Sequence, residues 1–429
     1  MRDHREFGGV HRAKEKLRVH DPGNHRRNPV RARHVHVPAA GVGRFRAGRR
    51  HRGRGRGRAA GHGLRPAEDG GQARGALERQ GGRNRSAGRR RGLADGSFQG
   101  VTKEDEWVFT TKSDMPELSD TLIVDVAGKG DFNTVQGALD FIPDFNEQQT
   151  VILVNPGDYE ELVYTRNKWH VKIKGAGMAD TKVHYANNEV FNPHPLTVKT
   201  NEWPGTFPSR RAAFMLDNCK DIVIEDMTIA TDLKGQAEGL LINGERIALY
   251  RVHIIGSGDA LQANGTIYME SCELDGGGDT ILGRGSLFAY KSNFRNGGGP
   301  FSWVRNTAGN HGNVFVECTF STEDGKQADY GRTKSNHGSA YPDAEFVLID
   351  CKVKNIIPEG WSSIGAKTAK MYEYNTCDMV TGNPVDVSKR HPYSRQLTKD
   401  KDTELINNYR NPAFVLKGWV PDSCINGTK

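Results

Sequence analysis

The sequence predicts an all-β chain wound as a right-handed parallel β-helix, a solenoid with a short N-terminal capping helix and a disordered Arg/Gly-rich N-terminal extension. Three observations carry that expectation. From about residue 122 onward short strands recur with no long helix between them. Several segments about one coil apart repeat the pattern polar, small or apolar, polar, apolar. The first hundred residues differ in kind from the rest of the 429-residue chain.

Residues 1–100 carry 24 Arg and 2 Lys against 8 acids, while residues 101–429 carry 34 basic and 44 acidic side chains. The net charge of +8 therefore hides one unit at +18 and another at −10. The first unit has almost no branched apolar or aromatic residues, so it cannot bury enough surface to offset chain entropy and should be disordered. An RGG-like tail binding RNA or DNA is one reading. Genuine tails of that kind interleave aromatics, and this one offers only Phe7, Phe45 and Phe98. The composition instead matches a GC-rich gene translated from a wrong upstream start, so no nucleic-acid partner is expected. The segment also lacks the apolar core of a signal peptide. No run of eighteen apolar residues occurs anywhere, which argues against a membrane-spanning helix. Residues 101–429 are left as the folded unit, long enough to bury a large core.

In that unit "LIVDV" at Leu122 reads as a strand, and "GKGDFNTVQGALDFIPD" as a turn and a short helix. Asp131 or Asn133 is the expected N-cap, with Val135, Ala138, Leu139 and Phe141 on one apolar face. "TVILVNPGDYEE" and "HVKIKGAG" give two more strands ending at Gly-rich turns. The repeat then begins. Its second position holds Met227, Val252, Cys272, Ser292, Cys318, Cys351 and Cys377. Each coil would bury that inward position against the next, and parallel crossovers of this kind are right-handed. Four of the six cysteines thus fall on one rung, where stacked parallel neighbours about 5 Å apart rarely meet disulfide geometry. Free, buried thiols are expected there, with Cys219 and Cys424 undecided.

No GxSxG, CxxC, HExxH or phosphate-loop pattern is present, which argues against common serine hydrolases, zinc enzymes and nucleotide-binding enzymes. The seven histidines after residue 100 form no ligand cluster; His253, His311 and His337 read as solvated. The glycine-rich turns are more informative. "GQAEGL" places Gln236, "GSGDAL" places Asp259 and "GGGDTILG" places Asp279, each about one coil after the last. Stacking would bring an amide and two carboxylates onto one face, the acids roughly 5–7 Å apart. Two acids so close cannot both ionise cheaply: one turns neutral, and a cation keeps the other charged. For that cation, counting coils from Asp279 favours Arg305, one coil on, with Arg332, about two coils on, as the alternative.

These segments resemble the pectinesterases, the pectin methylesterase family of carbohydrate esterases, from about Leu122 to at least Trp361. "NPGDYEE" is similar to the family's GxYxE, "GQAEGL" to QAVAL, "GSGDAL" to YQDTL, "GGGDTILG" to VDFIFG and "YGRTKS" to LGRPW, with "IIPEGW" following. The resemblance implies hydrolysis of methyl esters on a polygalacturonate chain without metal or organic cofactor. In it Asp279 is the nucleophile, Asp259 the acid and base, Gln236 an oxyanion donor and Arg332 the partner of Asp279. It also implies a secreted or periplasmic enzyme, expected to act as a monomer. Two departures stand out. Gly258 replaces the family's second glutamine, and Gln262 is offset from that place by strand alternation. The aromatic after the family's GRP is missing, leaving Trp303, Tyr330, Phe301 and Trp361 as candidates to stack on sugar, with Trp303 and Tyr330 preferred. A β-helix polysaccharide lyase, a glycoside hydrolase or a non-catalytic polysaccharide-binding relative remain alternatives, because one fold hosts many functions.

Overall fold

A computed structural model describes residues 115–422, apart from 119–120, 192–210, 335–337 and 339. The chain divides into two units, residues 1–100 and 101–429. The first lies outside the described residues, and so do the expected disorder, His337 and Cys424.

The second unit is a parallel β-helix. Each coil contributes strands to three columns, and the pairings between coils are parallel. The first column stacks Leu240 on Leu261, then Ile281 and Ser302. The second runs Ile224, Leu249, Met269, Ala289, Phe315 and Leu348, all pointing into the core. The third carries the repeat read from the sequence, Met227 beside Val252 and onward. Apolar residues face inward along most strands, so winding joins them into one continuous core from Leu122 to Met371. Stacked rings add to it, as where Phe294 and Phe320 lie 4.9 Å apart and nearly parallel.

A single left-handed residue turns the corner between the second and third columns in seven successive coils. Asp226, Arg251, Ser271, Lys291, Glu317, Asp350 and Asn375 all have positive φ between 46° and 59°. Non-glycine residues adopt that region at a cost, which packing on both flanks must offset. Asn375 also corrects the repeat. Lys352 pairs with Cys377, so Thr376, not Cys377, sits on the rung above Cys351. Cys272, Cys318 and Cys351 are buried free thiols, whereas Cys377 is only half-buried because it has moved one place off the ladder. Cys219 is buried and free as well.

The helix Val135–Phe141 closes the N-terminal end, burying Val135, Ala138 and Leu139. Its N-cap is Thr134, whose hydroxyl accepts from the Gly137 N–H, and neither Asp131 nor Asn133. Asp131 instead accepts from the Ile123 N–H, in the adjoining strand. Both oxygens of Glu161 accept from the first-turn N–H groups of Val135 and Gln136, each at 2.8 Å. The glutamate of the "GDYEE" segment is therefore a helix anchor. Two helices that the sequence reading did not anticipate, Lys399–Arg410 and Pro412–Val415, pack Ile406, Tyr409 and Val415 on the outer side of the second column. No helix among the described residues is long and apolar enough to cross a membrane.

Candidate active site

The site lies where glycine-rich turns lead from the third column into the first. Leu261 pairs with Ile281, so Asp259 and Asp279, each two residues earlier, hold equivalent places on adjacent coils, about one strand spacing apart. The turns pack backbone on backbone: Gly277 and Gly278 both donate to the Gly258 carbonyl. Gly258 has φ +86°, and a Cβ there would lie 2.8 Å from the Gly235 carbonyl oxygen. That contact explains the first departure in the motif, because a glutamine at this position would displace the neighbouring turn.

Asp279 is held by Arg332. Nε donates to Oδ1 at 2.9 Å and Nη2 to Oδ2 at 2.5 Å, a bidentate pair spanning 53 residues of sequence. Coil counting favoured Arg305, but the first column runs Leu282, Trp303, Arg332, and the long arginine reaches down past one coil. Trp303 lies in between, with the guanidinium carbons of Arg332 and Arg305 each 4.2 Å from its ring centroid. Those contacts stiffen both arginines, since a guanidinium stacks well on an indole.

Asp259 is nearly buried, with 11% of its side chain exposed. Its pKa is pushed up to about 7, by burial first and then by the charge of Glu238, with Arg211 opposing and Asp279 adding to the rise. The two central acids are therefore unlike: one is clamped by a bidentate arginine, the other is able to carry a proton near neutrality. Asp329, on the coil that supplies Arg332, is likewise pushed up to about 6, by burial first and by Asp279 among its neighbours.

Gln236 is exposed at the edge of this group, and its side-chain oxygen accepts from Arg211 Nη1 at 2.8 Å. Gln262 follows Leu241 and precedes Leu282 in the outer row that continues to Trp303 and Arg332. It thus faces outward, contrary to the alternation argument, which counted from Asp259 although the strand starts only at Leu261.

Tyr330 does not belong to the site surface. It is fully buried, packs against Phe346 and Trp361, and donates its hydroxyl to Glu373 at 3.2 Å. Phe301 and Trp361 are equally buried. A tyrosine hydroxyl can enter a core when a partner waits there, and Glu373 is that partner. Of the aromatic candidates only the half-buried Trp303 stays beside the acids. His253 and His311 are not simply solvated: each lies 2.6 Å from a carboxylate oxygen, of Asp275 and Glu345 respectively.

Sequence reasoning missed Arg211 and Glu238. Glu238 stands inside the quoted "GQAEGL" segment, and its equivalence to Asp259 one coil later was a signal within reach. Arg211 carries no motif.

A parallel β-helix bearing two unlike carboxylates, a bidentate arginine and an exposed amide on one flank defines a carboxylic ester hydrolase of the carbohydrate-acting kind. The family model described as Pectinesterase matches residues 121–417. The chain belongs to the pectinesterase family. It is 26% identical over 334 residues to Pectinesterase QRT1 of Arabidopsis thaliana, covering 72% of this chain and 82% of that protein. Among solved structures it is similar to the pectin methylesterase from carrot, with TM-score 0.56 and 18% identity over 71% of this chain and 95% of that one. The pectin methylesterase from Aspergillus niger gives TM-score 0.54 and 19% identity over 73% and 100%. These likenesses show that the fold is shared.

Proposed function

We propose that residues 101–429 hydrolyse methyl esters of a polygalacturonate chain by a two-aspartate mechanism, with Asp279 as nucleophile and Asp259 as acid and then base. The observation that carries this reading is the asymmetry between the acids: Arg332 grips both oxygens of Asp279, while Asp259 is held near neutrality by burial. A carboxylate is a weak nucleophile, and fixing its orientation next to the ester offsets much of that weakness.

In the first half-reaction an Asp279 oxygen bonds to the ester carbonyl carbon, and the carbonyl electrons move onto its oxygen. Gln236 donates its amide N–H to that oxyanion, a contribution of about 3 kcal/mol for a well-placed donor. Collapse breaks the bond to methoxide, which takes the Asp259 proton and leaves as methanol. The enzyme is left as an acyl anhydride on Asp279. Water then attacks the acyl carbon, giving its proton to Asp259, and collapse returns the Asp279 carboxylate and frees the galacturonate carboxyl group. Trp303 is the aromatic available beside the sugar. The acidic charge of residues 101–429 suits an uncharged methylated polymer and repels the polyanionic product. Since that polymer lies outside the cell, the enzyme acts after export or in the periplasm.

Methanol release from methylated pectin by protein beginning near residue 101 is the direct test. Release by the parent protein and its loss in Asp279→Asn are the expected results. Equal release by that variant would remove Asp279 from the nucleophile role. New reducing ends without methanol, or ultraviolet-absorbing unsaturated ends, would replace the reading with a hydrolase or a lyase.

A further inference from the structure

One cation serves both Gln236 and Asp259, and one buried acid serves that cation. Arg211 Nε donates to the two oxygens of Glu238 at 2.7 and 2.8 Å, and Nη2 comes within 2.6 Å of Oε1 of the same residue. Nη2 also donates to Asp259 Oδ2 at 3.0 Å, and Nη1 donates to Gln236 Oε1 at 2.8 Å. Glu238 has no exposed side-chain surface. Leu240, Leu261 and Ile281 stack in register, so Glu238, Asp259 and Asp279 occupy equivalent places on three successive coils. The acid row thus extends one coil beyond the motif pair, and its first member is spent on an arginine.

A guanidinium has only donors to offer, so the Gln236 amide must present its oxygen to Arg211. That settles which end of the amide remains for another acceptor: the NH2 group. With Gly258 supplying no side chain, the orientation of this one amide matters all the more. We infer that Arg211 and Glu238 form a positioning pair for ester hydrolysis, Arg211 orienting the Gln236 amide and the Asp259 carboxyl together, and Glu238 cancelling the charge that would otherwise strip Asp259 of its proton. The inference rests on the esterase reading above and names residues that act through Gln236 and Asp259 without touching substrate.

The electrostatics of the neighbourhood agree. Glu238 and Arg211 face Asp259 from the preceding coil, Asp279 from the following one and Arg305 from beyond it, with Arg332 and Asp329 acting on Asp279. After burial, Glu238 is the largest influence that favours the protonated acid, ahead of the opposing Arg211. An arginine left alone against Asp259 would favour its ionised form.

The test compares the parent protein with Glu238→Gln, Arg211→Met and the double variant, which removes both charges and so avoids a lone buried acid. Methanol release is followed against pH, and the Asp259 carboxyl is titrated by ¹³C NMR in isotopically labelled protein, with Asp259→Asn to assign the signal. In Glu238→Gln the high-pH limb of kcat/KM and the Asp259 titration should move together toward acid by about one unit. Arg211→Met and the double variant should lose about 100-fold in kcat with KM nearly unchanged, the signature of a misaligned group. A pH profile of Glu238→Gln that superimposes on the parent's, or a folded double variant with parental kcat, overturns the pair. If the parent protein itself releases no methanol, the esterase reading fails separately, and the NMR titration still decides the electrostatic part: an Asp259 signal indifferent to Glu238→Gln refutes the coupling of Glu238 to Asp259, and a moved signal upholds that coupling alone.

Discussion

Two buried acid–arginine groups in this molecule differ in one respect that separates scaffold from site. At the C-terminal end of the core, Glu373 takes the place in the second column that follows Leu348. Arg390 donates to both its oxygens, at 2.9 and 3.0 Å, and Tyr330 and Gln396 each add one more donor. One anion meets one cation, every oxygen is used twice, and the side chains are 1% and 7% exposed. On the open flank, Glu238, Asp259, Asp279 and Asp329 share Arg211, Arg305 and Arg332. There, with Glu189 also 3.9 Å from Arg211, the acids outnumber the cations. The closed group has nothing left to exchange, whereas the open group must hold a proton on one member near neutral pH, and a held proton is what an acid catalyst delivers.

The comparison can be broken most severely at Asp279. Asp279→Asn should lower methanol release by at least about 1,000-fold, as removal of a covalent nucleophile does, while the urea midpoint shifts little because the residue sits on the open flank. Glu373→Ala should do the reverse. Leaving Arg390 buried and uncompensated should cost about 3–5 kcal/mol of stability in urea titration, with kcat of the folded fraction kept.

A smaller effect sharpens the contrast through pH. Asp259 must be protonated to expel methanol, so activity should fall as pH rises through about 7. The folded-state pKa lies above the ordinary value of 3.8, so the native state binds the proton more tightly than the unfolded chain. Stability from this group is then fully present below about 4 and is lost as pH rises toward 7. Asp259→Asn should remove that slope, seen as a flatter plot of unfolding free energy against pH than the parent protein gives. The smallest effect concerns the thiols. Burial pushes Cys272 and Cys318 up to about 12, so alkylation of native protein at pH 8 should spare them. Among the described cysteines, mass spectrometry should find label first on Cys377, the one displaced from the ladder.

What could be read from the sequence follows from what a coil repeats. The solenoid was legible because every winding buries the same inward position, leaving Met227, Val252 and Cys272 in step, and Gln236, Asp259 and Asp279 could be placed because their glycine turns recur with the coils. Where period counting failed, a local departure was the cause. The step to Asn375 is one residue shorter than the alignment on Cys377 assumed. Arg332 acts across an intervening coil, so its distance along the chain matches no period. Tyr330 looked like a surface ring because its buried acceptor, Glu373, lies 43 residues away. The C-terminal helix was hidden by a mostly polar sequence that presents just Leu405, Ile406 and Tyr409 to its neighbours.

The one-residue corner at Asp226 and its six successors bears on how this scaffold can diverge. Across these seven coils it never lengthens, although coil to coil the chain advances by 25, 20, 20, 26, 33 and 25 residues. All growth and shrinkage must therefore fall at the other two bends, which border the strand row beneath the acids. Insertions there remodel the walls around a bound polymer and leave the register of the spiral untouched, so substrate preference can drift while the reacting groups stay in line.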